Sequence, residues 1–367
     1  MNIEELPETL LQAIVYFSCP ERSHNFLAEI VWPTGPECPH CGSQKVGVFS
    51  EKRKVSNCKN CKKQFTVKVG TIFESSPLGL DKWLPAVWLI ACSKNGISSC
   101  EIARSLGVTQ KTAWFMGHRI RRAIAVGSFK KFSGIVEVDE TYIGGKAKNM
   151  HKGKRKARGT GMTGKTPVMG ILDRCSRPSK IVAEVLPFIT REGLISRVRK
   201  YVLEGSEVHT DSVNHYVRLR EAYVHKFVDH ALTYVKDGVH TNGLENFWNL
   251  LKRCIGGTYT FCEPKHLHRY VSEQVYRFNE RKLEDSDRFV GALIAVAFWI
   301  APRSKMKTAY AMALFIVFLL VSLHLFLSFQ GFVFTAPTWL QLATHILNAI
   351  GIVAGLFFVH EQRKFYP

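Results

Sequence analysis

The chain has 367 residues, which is enough for two or three domains that each bury a hydrophobic core. Lysine and arginine number 50 against 30 acidic residues, so the formal net charge is +20. A surplus of this size indicates a polyanionic partner, either nucleic acid or an anionic membrane surface. The first residues are acidic and not basic then apolar, which argues against a secretory signal peptide and favours a reducing cytosol.

A cysteine-rich segment follows a mildly amphipathic stretch that predicts helices over residues 1–30. Its two cysteine pairs each have the spacing C-x-x-C. Two such knuckles place four thiolates tetrahedrally around Zn²⁺, so we expect a zinc ribbon over residues 31–70, with disulfides as the alternative. The many lysines of this segment suit phosphate contacts, and a purely structural ribbon is the other interpretation. The predicted zinc ligands are Cys38, Cys41, Cys58 and Cys61.

Helical periodicity over residues 71–128 contains a helix-turn-helix pattern. Ile102 and Leu106 share one helical face, Gly107 ends that helix, and Thr109 can N-cap the next. We expect the second helix to enter the major groove of DNA, with an ordinary helical hairpin as the alternative. The residues predicted to face the groove are Thr109, Gln110, Lys111 and Thr112, and those predicted to meet phosphates are Arg119, Arg121 and Arg122.

Strand-like and helix-like runs alternate over residues 133–285, which predicts an α/β domain with antiparallel strands first. Asp139 lies in a strand, Asp211 follows another strand, and Glu245 lies off the apolar face of a helix. We expect these three carboxylates to meet at one end of the sheet, because carboxylate oxygens are the ligands that Mg²⁺ prefers. Two such ions, about 4 Å apart, promote an in-line phosphoryl displacement.

Two flanking glutamates and a basic loop surround these carboxylates. We expect Glu137 and Glu140 to point to the face of the strand opposite Asp139 and to have a structural or surface role. Residues 146–165 form a basic, glycine-rich loop that predicts a clamp on DNA, with a solvated linker as the alternative.

Long motifs carry a resemblance to a known family. VEVDETYIGGK, HTDS, HTNGLENFWNLLKRCIGGTY and KHLHRYVSEQVYRFNERK, with the ribbon and the helix-turn-helix, resemble bacterial insertion-sequence transposases of the ISXO-like group over about residues 20–285. The resemblance implies an RNase H-like core with a DDE triad. It also implies a basic residue that contacts DNA after the third acid, and rival amides for that acid. The implied triad is Asp139, Asp211 and Glu245, the implied DNA contacts are Lys252 and Arg253, and the rival amides are Asn242 and Asn246.

The predicted function is that of a DNA transposase. It would bind the terminal inverted repeats of an insertion sequence and catalyse Mg²⁺-dependent strand cleavage and transfer, with structural Zn²⁺ in the ribbon and Mn²⁺ as a substitute for Mg²⁺. A homo-oligomer is expected because two element ends must be joined. The alternatives are a catalytically inactive or domesticated DNA-binding regulator and a membrane-anchored sensor.

The last part of the chain is a hydrophobic tail, residues 289–367. Its runs at residues 308–329 and 339–359 contain no Asp, Glu, Lys or Arg and are long enough to cross a bilayer, so they predict a helical hairpin. Basic residues on both sides of the hairpin predict that both ends face the cytoplasm. The predicted location is the cytoplasm, at the nucleoid, with a tether to the inner membrane. The predicted fold is therefore multidomain α+β: zinc ribbon, helix-turn-helix, RNase H-like α/β core and C-terminal hydrophobic helical hairpin.

Overall fold

The computed structural model describes residues 6–125, 130–145, 164–211, 215–228 and 238–297. The chain divides into two compact units, one formed by Met1–Ser23 with Leu78–Val296 and the other by His24–Pro77 with Ala297–Pro367. The domain boundaries drawn from the sequence stay predictions.

Two sequence predictions lie outside the described residues. They are the hydrophobic hairpin of the tail and most of the basic, glycine-rich loop. Among the helices of the described ranges, none combines the length and the apolar character needed to cross a membrane. The predicted membrane tether therefore stays a prediction.

The smaller unit contains a three-stranded antiparallel sheet in the order β1-β2-β3. Its core joins Cys38 and Cys58 to Phe65, against which Trp32 packs edge-on with ring centroids 5.9 Å apart. So small a core suits a unit that a metal ion completes. The strands are β1 (Val46–Ser50), β2 (Val55–Cys58) and β3 (Gln64–Phe65).

The larger unit is built on a five-stranded mixed sheet in the order β6-β5-β4-β7-β8. β4 is central; β5 pairs with it antiparallel and β6 extends that side, whereas β7 and β8 pair parallel on the other side. The predicted order of antiparallel strands first is confirmed. The strands are β4 (Ile135–Ile143), β5 (Thr166–Asp173), β6 (Lys180–Val185), β7 (Glu207–Thr210) and β8 (Val224–Phe227).

Helices cover both faces of this sheet. One face packs against α6, where Val136 and Val138 of β4 join a core with Leu194 and Val198 of that helix. The other face packs against α7 and α8. The nine helices of the described ranges are α1 (Leu10–Phe17), α2 (Pro20–Val31), α3 (Leu80–Cys92), α4 (Ser99–Leu106), α5 (Gln110–Ile124), α6 (Arg191–Tyr201), α7 (Asn242–Arg253), α8 (Leu267–Asn279) and α9 (Asp285–Ala297).

The alternation of β4 corrects one sequence prediction. Side chains at positions i and i+2 of a strand share a face, so Glu137 points to the same side as Asp139. Both carboxylates contact α7, Glu137 at Leu244 N and Asp139 at Trp248 Nε1. The expectation that Glu137 lies on the opposite face is therefore wrong.

The turn between α4 and α5 has the capping that the sequence predicts. Gly107 ends α4 in the left-handed region at φ +63°, which a residue with a side chain adopts at a cost. Thr109 then N-caps α5, and its hydroxyl accepts a hydrogen bond from Thr112 N at 3.2 Å. The helix, glycine turn and capped second helix are confirmed.

Candidate active site and zinc site

Four cysteine side chains of the smaller unit converge on one point. The Cys38 and Cys61 Sγ atoms lie 3.6 Å apart, as do those of Cys41 and Cys58, and all four lie within 4.8 Å of one another. Tetrahedral Zn²⁺ with bonds of about 2.3 Å would separate its sulfurs by about 3.8 Å. A disulfide needs about 2.05 Å, so the disulfide alternative is wrong.

The backbone of the two knuckles has the same form. Gly42 N donates to Cys38 O at 2.8 Å, and Lys62 N donates to Cys58 O at 3.0 Å. Gly42 and Lys62 both have positive φ, at +75° and +60°. Cys61 N also donates to Cys58 Sγ, which lowers the pKa of the Cys58 thiol to about 6. The donor set and its geometry fit a structural Zn²⁺ ion.

Three carboxylates converge in the larger sheet, where β7 ends beside β4. The parallel pairing of β4 with β7 ends at Val138 and Thr210, so the next residues, Asp139 and Asp211, are neighbours. Asp139, Glu140 and Asp211 offer carboxylate oxygens that all lie within 4.8 Å of one another. The sequence reasoning missed Glu140, because strand alternation alone gives no sign that its carboxyl reaches this group.

Burial and repulsion between neighbouring carboxylates raise the pKa values of two acids in this group. Burial, followed by repulsion from Asp211 and then from Glu245, raises the pKa of Asp139 to about 6. Burial also raises the pKa of Glu140 to about 8, with smaller contributions from Asp139 and Asp211. Glu140 Oε1 is buried and finds no hydrogen-bond partner within the described part of the chain. Such an accumulation of carboxylates fits a divalent cation with oxygen ligands.

The predicted third acid lies on α7, whose apolar face packs on the sheet as predicted. Glu245 is half-buried in the first turn of that helix. It stands outside the group of three, yet it is near enough to raise the pKa of Asp139. The two rival amides, Asn242 and Asn246, are exposed on the same helix.

A tryptophan of α7 holds the Asp139 carboxylate. Trp248 Nε1 donates to Asp139 Oδ2 at 2.8 Å. Gly170 pairs with Asp139 in the sheet register, and a Cβ at Gly170 would lie 2.7 Å from Trp248 Cζ2. Real Cβ contacts are longer than this, so the close approach of the indole to the strand requires glycine at position 170.

A second carboxylate of β4 anchors the start of α7. Glu137 is only 1% exposed and accepts from Leu244 N at 3.0 Å. Arg174 Nε lies 3.6 Å and His240 Nδ1 lies 3.4 Å from its Oε1. A carboxylate at the N-terminus of a helix satisfies a free backbone N–H and complements the helix dipole. Of the structural or surface role expected for Glu137, the structural one is confirmed, because its carboxylate is buried and bonded inside the fold.

The side chains predicted to contact DNA are mostly exposed. Gln110 Nε2 donates to Ser99 Oγ at 2.8 Å, which ties the start of α5 to α4. Exposed side chains are those of Gln110, Lys111, Arg119, Arg122, Lys252 and Arg253, and that of Thr112 is half-buried.

Arg121 is an exception among the predicted phosphate contacts. It is 3% exposed, and its Nε lies 2.5 Å from Glu273 Oε2 on α8. Arg121 follows Gly117 by one helical turn and lies on the buried side of α5, so its prediction as a phosphate contact is wrong.

Comparisons with known proteins match two transposase domains in this chain. The ISXO2-like transposase domain matches residues 131–279, and the transposase zinc-ribbon domain matches residues 21–64. A protein of the transposable element ISH50 of Halobacterium salinarum is 28% identical over 256 residues, 66% of this chain and 85% of that protein. A transposase-like protein of Haemophilus influenzae is 25% identical over 116 residues, 31% of this chain and 94% of that protein.

The described residues contain a cluster of four cysteines, a helix-turn-helix and a mixed sheet with clustered carboxylates. The two domain matches show that this chain combines an N-terminal transposase zinc-ribbon domain with an ISXO2-like transposase domain.

Proposed function

We propose that this chain binds the terminal inverted repeats of an insertion sequence and catalyses divalent-cation-dependent cleavage and transfer of DNA strands. The observation that carries the proposal is the meeting of the Asp139 and Asp211 carboxylates where β7 ends beside β4. The two acids lie 72 positions apart in the chain, and parallel strand pairing makes them neighbours. Isolated surface acids would not need this arrangement.

The topology supports the proposal of an RNase H-like core. In the larger sheet, the antiparallel strands β4, β5 and β6 come first along the chain. β7 and β8 then extend the sheet in parallel on the other side of β4. The acid-bearing helix α7 then crosses the face opposite α6. We assign the DDE triad to Asp139, Asp211 and Glu245.

The chain's own residues have distinct roles in this proposal. Asp139, Asp211 and Glu245 would hold Mg²⁺ or Mn²⁺, with Glu140 beside them. When bound, such ions activate the attacking oxygen and stabilise the leaving oxygen of an in-line phosphoryl transfer. Trp248 orients Asp139 through its indole N–H, at 2.8 Å from Oδ2.

DNA would be held by two separate surfaces of the larger unit. The first turn of α5 would read base edges in the major groove, with Gln110, Lys111 and Thr112 foremost, and Arg119 and Arg122 would contact phosphates. Lys252 lies two helical turns after Glu245, on the same side of α7, and with Arg253 would hold DNA near the carboxylates. Because two element ends must be joined, we propose a homo-oligomer as the active form.

Strand cleavage by the full-length chain tests this proposal. A labelled duplex that carries the terminal inverted repeat of the element is incubated with Mg²⁺ or Mn²⁺. We expect the parent to cut at the repeat end, and Asp211→Asn to lose at least about a hundredfold of the rate, since a metal ligand is removed.

Two comparisons make the result specific. Glu245→Gln is expected to lose activity, whereas Glu192→Gln, the same change at an exposed site on α6, is expected to keep it. Cleavage that survives Asp211→Asn would overturn the catalytic assignment. DNA binding by the parent without any cleavage would leave a DNA-binding protein that has lost its chemistry.

A further inference from the structure

A cluster of basic side chains lies where α5 meets the start of α8. Arg122 comes from α5, His266 lies directly before α8, and His268 and Arg269 come from the first turn of α8. We call these four residues the α5–α8 patch. Burial lowers the pKa of Arg269 and of His268, and the nearby charge of Arg122 lowers both further. The patch is therefore one electrostatic unit built from two helices.

A neutral histidine fixes Arg269 in place. Arg269 Nη1 donates to His118 Nδ1 at 2.7 Å. His118 is 3% exposed, packs against the tilted ring of Trp114 with centroids 3.9 Å apart, and has Tyr270 Oη 3.4 Å from its Nε2. Burial lowers the pKa of His118 to about 3, with Arg121 and Arg269 as further causes. His118 therefore orients the guanidinium of Arg269 without neutralising its charge.

Arg269 differs from its neighbours Arg121 and Arg277 in the partners of its guanidinium. Arg121 and Arg277 both bond to the carboxylate of Glu273, so each has a negative partner. Arg269 has none: in the parts of the chain that the structure describes, no carboxylate lies within ion-pair distance of it. Its Nε is also buried without an acceptor in those parts. A half-buried guanidinium normally has an anionic partner, so this one indicates an anion from outside the described chain.

The place of the patch on α5 indicates which anion it would take. Arg122 follows Lys111 by three helical turns, which is about 16 Å along the axis. The major groove is about 12 Å wide, so a helix whose first turn contacts base edges has its later turns beside the phosphates. We infer that the α5–α8 patch is a phosphate-binding surface for duplex DNA, with Arg269 as its central contact. The inference rests on the proposed function, since it concerns the same DNA.

Salt-dependent binding tests the inference. The full-length chain is titrated into a fluorescent inverted-repeat duplex without divalent ions, at several KCl concentrations, and binding is followed by anisotropy. Loss of one phosphate contact lowers the slope of log K against log salt by about 0.9 and weakens binding about eightfold near 0.1 M salt. We expect Arg269→Gln to show both effects and Arg269→Lys to keep most of the slope.

The control is Arg199→Gln, the same change at an exposed arginine of α6 on the opposite face of the sheet. It is expected to bind like the parent. An unchanged slope and affinity in Arg269→Gln would overturn the inference while DNA binding by the parent still stands. If the parent binds no duplex, the proposed function fails instead. Should Arg269→Gln not fold, Arg122→Gln carries the test, and an unchanged slope there refutes the patch.

Discussion

The carboxylate of Glu273 is the buried link between α5 and α8, and Glu273→Gln tests its strength. Its side chain is 0% exposed; Oε2 lies 2.5 Å from Arg121 Nε, and Oε1 accepts from Arg277 and, at 2.7 Å, from Tyr259. Glutamine keeps the shape of this side chain. It leaves two buried guanidiniums without a carboxylate, so the loss is electrostatic and leaves no cavity.

The expected loss of stability follows from the pKa shift of Glu273 and from the usual cost of breaking a buried ion pair. Burial alone would raise the pKa of Glu273, but Arg121 and Arg277 lower it from 4.5 to about 2. A shift of that size corresponds to about 3 kcal/mol, and breaking a buried ion pair costs about 3–5 kcal/mol. We therefore expect the free energy of unfolding to fall by about 3 kcal/mol and the melting temperature by about 6–12 °C.

The pH dependence has a definite sign. A carboxyl whose folded pKa lies below its unfolded pKa stabilises the fold fully above the unfolded value, here 4.5. That stabilisation is lost as the pH falls towards 2. The stability of the parent should therefore fall more steeply than that of Glu273→Gln as the pH is lowered from 5 to 3.

Calorimetry of the full-length chain measures both effects. The matched control is Glu184→Gln, because Glu184 also bonds to two cations, Arg197 and Lys200, but is 24% exposed. Water screens that network, so its loss should cost about 1 kcal/mol or less. If Glu273→Gln is no less stable than Glu184→Gln, the reasoning about buried charge is refuted.

Three further changes test the zinc site and the packing of α7. Cys58→Ser should abolish bound zinc measured by elemental analysis, whereas Cys100→Ser, at an exposed cysteine outside the cluster, should retain it. Gly170→Ala should lower the free energy of unfolding by about 1–3 kcal/mol in thermal denaturation, because its Cβ would meet Trp248 at 2.7 Å, whereas Gly256→Ala, with open space around it, should change little. Trp248→Phe should weaken Mn²⁺ binding, measured by electron paramagnetic resonance, about tenfold or more, since it removes the hydrogen-bond donor to Asp139, a proposed metal ligand; unchanged binding would count against an orienting role.

Features governed by near neighbours could be predicted from the sequence. Gly107 and Thr109 determine the turn between α4 and α5 through contacts that span four or fewer residues. The cysteine knuckles are equally local, because each pair closes its own turn. The α/β layout of the larger unit also follows from residue periodicity, which a single sequence displays directly.

Features that depend on distant partners could not be predicted in the same way. Arg121 resembles any exposed arginine of a DNA-binding helix until Glu273, 152 residues later, is packed against it. Glu140 joins the acidic group only because Asp211 lies at the end of a neighbouring strand. Glu137 is different, since strand alternation already places it on the face of Asp139 and the sequence was enough.

The two contacts between β4 and α7 explain why the strand and the helix must be in one relative register. Glu137 and Asp139 lie two residues apart on the strand, about 6.8 Å, and their partners Leu244 and Trp248 lie four residues apart on the helix, about 6.0 Å. The spacings match, so both hydrogen bonds form together. A slip of one residue in either element would break both and would leave the Glu137 carboxylate buried without its backbone partner. Because Glu245 directly follows Leu244, its position relative to Asp139 is determined by the same two contacts.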